Sequence, residues 1–138
     1  MVERKCIISI YLSIMKHTFT SFFCLLAFSS FAQTQIKLDD VRNHIGDSVK
    51  LIGKIYSGKY LESTKGTPTF LDVGGKYPNE KLTLMILGDV RKQFKNAPET
   101  FFEGKDEWIT GKVQLFKNKP EIIIYSPRQI YDIAANSN

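Results

Sequence analysis

Ile109-Thr110-Gly111-Lys112-Val113 echoes Leu51-Ile52-Gly53-Lys54-Ile55: both run apolar, x, Gly, Lys, apolar. Around the earlier copy, over Val49–Tyr56, Val49, Leu51 and Ile55 alternate with Lys50 and Lys54, the period-two pattern of a half-buried strand. Around the later copy, over Glu107–Phe116, Ile109, Val113 and Leu115 are expected to face inward in the same way. Both glycines then occupy inward slots, where a missing side chain marks a bulge or a sharp coil of the strand. Two long strands bent at matching glycines are a means of closing a small sheet into a barrel.

The rest of the chain supplies the other strands. Thr69-Phe70-Leu71-Asp72-Val73 reads as a second strand, closed by Gly74-Gly75 and a turn at Tyr77-Pro78-Asn79, and Leu82–Leu87 as a third, ended by Gly88-Asp89. After a turn at Lys117-Asn118-Lys119-Pro120 comes a fifth, Glu121–Tyr125. Gly58–Pro68 is polar and reads as a loop. Asp89–Phe102 reads as a linker with broken helical content: Val90 and Phe94 pair at i+4, and Pro98 interrupts. A short helix is predicted over Ile36–Gly46 from Leu38, Val41 and Ile45, with Gly46 as its stop. Ser126-Pro127 offer an N-cap and first-turn proline for a terminal helix through Ile130 and Ile133. A hairpin and a linker separate the two echoing strands, so the chain is not a repeat protein. Three strands, a linker and two strands is the order of an all-β fold with short helices, the five-stranded Greek-key OB-fold barrel.

The chain has 138 residues, enough for one domain. At 43% hydrophobic and 24% charged it is too apolar for a disordered chain. Met15-Lys16-His17, the apolar block Phe19–Phe31, and small residues at Ser30 and Ala32 form a secretory signal with cleavage expected after Ala32. Residues 1–32 are thus a signal and 33–138 a single domain. A second apolar run, Cys6–Ile14, lies upstream. Either translation starts at Met15 and residues 1–14 are an over-extended start, or Cys6–Ala32 is one anchor helix. The cleaved signal is favoured because Lys16 and His17 would be costly in the middle of a span.

A lipid-attachment role for Cys24 is rejected because Phe22 and Phe23, just before it, are too bulky. Processing then removes both cysteines, Cys6 and Cys24, leaving no disulfide, thiolate site or membrane span, and a periplasmic or secreted location. Arg4, Lys5, Lys16 and Glu3 leave with the signal, so the net charge falls from +5 to +3, which permits anionic partners without demanding them.

The catalytic inventory is thin. His44 is the one histidine of the mature domain, and with Asp40 at i and i+4 it offers two metal ligands, too few for a site. Asp72 stands alone in its strand, and Gly74-Gly75 lacks the helix N-terminus a phosphate loop needs. No enzyme, cofactor or metal is expected.

Three further stretches carry a family likeness: Gly104-Lys105 through Trp108–Val113, then Lys117–Ile124, then Ser126-Pro127-Arg128-Gln129-Ile130. Together they resemble the second half of OB-fold nucleic-acid-binding modules of the tRNA-anticodon-binding-like kind. Phe70–Gly75 with Tyr77-Pro78 and Leu82–Ile86 resembles their second and third strands, so the likeness spans roughly Ile45 to Ile133. Similar small domains occur in exported proteins, some attached to secreted nucleases. The resemblance implies a ligand crossing the second and third strands, between the loops joining strands one to two and four to five. Those elements offer Lys54, Tyr56, Lys59, Tyr60 and Lys65, then Phe70 and Tyr77, then Phe116, Lys117 and Lys119. Rings interleaved with lysines suit single-stranded nucleic acid, since bases stack on rings while cations meet phosphates. OB barrels also serve other ligands, so an extracytoplasmic envelope module binding a protein, a saccharide or a cation on the same face is the alternative.

Overall fold

The computed structural model describes residues 33–136; the expected signal segment, with both cysteines, lies outside the described residues. Among the described residues seven strands form: β1 (Thr34–Gln35), β2 (Ser48–Tyr60), β3 (Thr69–Val73), β4 (Leu82–Ile86), β5 (Asp106–Phe116), β6 (Lys119–Ile124) and β7 (Ile130–Asp132). Five of them close in the order β2-β3-β4-β6-β5, with β5 returning to β2. The β4–β6 pair is parallel and the other pairs of the ring antiparallel. This is the all-β OB-like barrel predicted from the strand order. β1 adds in parallel to β2, and β7 antiparallel to β5. No helix among the described residues is long and apolar enough to cross a membrane.

Closure depends on two strands that each serve two partners. β2 pairs with β5 through Lys54 and with β3 from Ile55 onward. β5 pairs with β2 through Lys112 and with β6 from Val113. Gly53 and Gly111 stand just before these changes of partner. A Cβ at Gly53 would run into Val73 Cγ1, and one at Gly111 into Ile122 Cγ2. The echo therefore records two corners where backbone passes over core side chains.

Alternation fills the interior. Val49, Leu51, Ile55, Leu71, Val73, Leu82, Leu84, Ile86, Ile109, Val113, Ile122 and Ile124 are fully buried, joined by Val41 and Phe102 from outside the barrel strands. Phe102 meets Phe94 and Phe101 edge-on, at centroid distances of 6.0 and 5.0 Å.

Six local expectations are corrected. The segment read as a loop from Gly58 remains strand through Tyr60, with Gly58 opposite Leu71 and Lys59 opposite Phe70. The one-turn helix Pro98–Phe101 packs so closely there that a Cβ at Gly58 would lie 2.6 Å from Glu99 Cα. The N-terminal helix is a 3-10 helix, Leu38–His44. The terminal helix is not continuous: the Ser126–Gln129 capping box closes only the 3-10 helix Pro127–Gln129, Ile130–Asp132 pair with β5 because its edge is open there, and a second 3-10 helix follows at Ile133–Asn136. Leu115, expected inside, is 50% exposed, since the β5–β6 hairpin runs past the end of the core. The turn itself is Lys117-Asn118, both at positive φ, and Pro120 belongs to β6. Pro98 opens a helix rather than breaking one.

Candidate functional site

On the outward face of the barrel one row of paired residues crosses five strands: Ser57, Asp72, Thr83, Glu121 and Gln114. Its carboxylates are held from the ends. Ser57 Oγ donates to Asp72 Oδ2 at 2.6 Å, and Gln114 Nε2 donates to Glu121 Oε1 at 2.9 Å. Beside this row Lys59 faces Phe70, which is half-buried on the outer surface rather than in the core.

Two projections wall the row. The β3–β4 turn, with a cis Tyr77-Pro78 peptide, carries Tyr77 and Glu80; the β5–β6 hairpin carries Phe116, Lys117 and Lys119. Between them lies a cleft of about 570 Å³, whose lining also includes Phe70, Asp72, Thr83, Pro120 and Glu121. Tyr77 and Phe116 are 76% and 52% exposed. Lys119 ties the walls together: its Nζ donates to Glu80 Oε1 at 2.5 Å and to the Pro78 carbonyl at 2.7 Å, and lies 5.0 Å from the Tyr77 ring centroid. The Glu80 side chain is only 3% exposed, and its Oε2 is buried with no partner. Lys59 and Lys117 are exposed, whereas Asp72, Glu80 and Glu121 lie deeper. Cations thus stand at the rim and acids at the floor.

Of the ten residues singled out in the sequence, Lys59, Phe70, Tyr77, Phe116, Lys117 and Lys119 line this cleft. Lys54, Tyr56, Tyr60 and Lys65 do not. Lys54 lies over Tyr56, its Nζ 5.6 Å from the ring centroid, and Lys65 is exposed in the β2–β3 loop. The Tyr60 ring is covered by the Arg91 guanidinium at 4.0 Å. Arg91 in turn donates to Glu99 at 2.6 Å, a bond that raises its pKa further. The wall expected from the β2–β3 loop is therefore supplied by the β3–β4 turn. Asp72 reads from the sequence as a lone strand acid, and nothing in local spacing marks Glu80, Thr83 or Glu121 as lining the cleft.

His44 Nδ1 lies 3.1 Å from Asp47 Oδ2 rather than pairing with Asp40. Among the described residues no group of three His, Cys, Asp or Glu side chains is placed to hold a metal ion.

No family model matches the chain, and no curated protein matches it in sequence. One similar solved structure is that of a protein assigned as an aspartyl-tRNA synthetase from Leishmania major Friedlin, at 11% identity and a TM-score of 0.46. The match covers 72% of this chain and 21% of that one, so this chain spans about a fifth of that protein's length.

Proposed function

We propose that this chain is an exported, non-enzymatic OB-fold module that binds single-stranded nucleic acid in the cleft between the β3–β4 turn and the β5–β6 hairpin. The observation that carries the reading is the convergence of Phe70, Tyr77 and Phe116 with the exposed Lys59 and Lys117. Each base stacked on a ring is worth about 1–3 kcal/mol whatever its identity. The rim lysines meet phosphates, and each phosphate neutralised adds about 0.7 to the slope of log K against log salt. Lys119 is engaged by Glu80 and so contributes less than its neighbours.

Fluorescence anisotropy with a labelled single-stranded oligonucleotide, titrated with salt, tests this. The Lys59→Ala/Lys117→Ala variant should bind every sequence more weakly and flatten the slope by about 1–1.5. Tyr77→Ala or Phe116→Ala should cost about 1–3 kcal/mol and leave the slope nearly unchanged. Absence of binding even at low ionic strength refutes the proposal and leaves the face to a protein, a saccharide or a cation.

A further inference from the structure

The proposed function treats the cleft as a stacking platform with basic edges, yet its floor is acidic. Ionised carboxylates only accept hydrogen bonds. Asp72 is fixed through Oδ2 by Ser57, which leaves Oδ1 for the cleft. Glu80 is the more telling residue: its side chain is 97% buried, it lines the cleft, and its Oε2 lacks any donor. A buried acceptor without a partner is costly and is found paired in the great majority of cases. A floor of this kind repels phosphate, so the backbone stays at the lysine rim and a base is what enters.

We infer that the cleft selects bases bearing an exocyclic amino group, with Asp72 and Glu80 accepting from that group while Tyr77 and Phe116 hold the ring. The inference rests on the nucleic-acid reading above and adds the ligand's chemistry to it. Acidic side chains accept from the cytosine 4-amino group, whereas thymine presents a carbonyl oxygen at that position. Two acceptors facing each other would be left unpaired, which disfavours thymine and uracil. Lys119, with its side chain 36% exposed, holds Glu80 in the free protein. A nucleotide supplies both replacements at once: a phosphate for the Lys119 ammonium and an amino group for the Glu80 carboxylate.

The cleanest comparison is between oligonucleotides of 5-methyl-2′-deoxycytidine and of thymidine, which share the sugar and whose bases share the ring, the methyl group and nearly the same stacking surface. Anisotropy titrations at slightly alkaline pH should give about tenfold tighter binding of the 5-methyl-2′-deoxycytidine strand. Asp72→Asn and Glu80→Gln conserve volume but offer an amide donor, so each should shift the ratio toward thymidine, Asp72→Asn without changing the salt slope and Glu80→Gln while steepening it as Lys119 is released to phosphate. Thermal melts establish that the variants are folded, and the wild-type ratio stands as a test without them. Equal or tighter binding of the thymidine strand by the wild type overturns the inference while leaving the nucleic-acid reading in place. An unchanged ratio in both folded variants also overturns it. If neither strand binds, the nucleic-acid reading itself is refuted and this inference with it.

Discussion

Gly53→Ala adds one methyl group at the corner where β2 leaves β5 for β3. The new carbon meets Val73 Cγ1 head-on, and Ile109 Cδ1 at 3.5 Å and Leu51 Cδ1 at 3.6 Å close the other directions. All three neighbours are fully buried, so no flexible surface group can yield. Overpacking of this kind costs about 1–3 kcal/mol. Against it stands about 0.4–1 kcal/mol from the lower entropy of the unfolded chain when glycine is replaced. The collision wins, with a net loss of about 1–2 kcal/mol. For a domain of this size that lowers Tm by about 5–15 °C.

A double-mutant cycle isolates the cause. Val73→Ala alone should cost about 2 kcal/mol through lost burial and a residual cavity. Combined with Gly53→Ala, the added methyl group enters the space vacated by Cγ1, so the pair should be less destabilised than the sum by about 1–2 kcal/mol. Urea unfolding followed by circular dichroism reads all four proteins. Additivity within about 0.5 kcal/mol, or an unchanged midpoint in Gly53→Ala, would show that the corner does not require glycine.

Burial, and secondarily Asp132 opposite it on β7, pushes the Glu107 carboxyl above its usual range. The folded state then binds that proton more tightly than the unfolded chain, so stability falls as pH rises from about 4.5 through the raised value. Glu107→Gln should remove this fall and exceed the wild type in urea midpoint at neutral pH; equal midpoints across the range would refute it. Lys117 sits at φ +48° in the hairpin turn, where asparagine is tolerated better. Lys117→Asn should therefore stabilise the barrel by about 0.5–1 kcal/mol while weakening oligonucleotide binding, and a lower melting temperature would count against this.

What was legible in the sequence is what depends on period and punctuation. Leu51, Ile55, Ile109 and Val113 alternate because each strand has one face in the core, and Gly53 and Gly111 disclose the corners. Ile130–Asp132 were not legible as strand, because the signal there is a hydrogen-bonding edge on β5, distant in sequence, rather than a local pattern. Gly58 likewise served a docking helix from a distant segment rather than a local turn. The cleft divides in the same way. Its rings and lysines could be read as types suited to a ligand, whereas Asp72, Glu80 and Glu121 become neighbours only through the β3-β4-β6 strand order. Tyr60 was attractive by type and lost to Arg91, a partner no spacing rule connects to it.

The two outward faces of the barrel differ in how their polar groups are used. On the β2–β5–β7 side Lys50 lies 4.2 Å from the Trp108 ring centroid and 5.6 Å from that of Tyr131, so the ammonium and both rings satisfy one another within the protein. Such a contact contributes about 0.5–1 kcal/mol and asks for nothing further. On the cleft side the balance runs the other way. Glu80 keeps a buried oxygen without a donor, Lys117 holds a left-handed backbone, and Tyr77 and Phe116 expose apolar rings to water. Each of these features costs stability, and a barrel shaped by stability alone would replace them at little topological expense. Buried groups without partners also occur elsewhere, at Arg91 Nε and Glu99 Oε2, and Thr67 also has a positive φ. Among the described residues, however, only the cleft joins such features to exposed rings and cations around one cavity, as is expected where a site is built. The same three features are the acceptor, the cation and the stacking surfaces that the proposed ligand requires, which is why the cleft, and not the Trp108 face, is assigned the function.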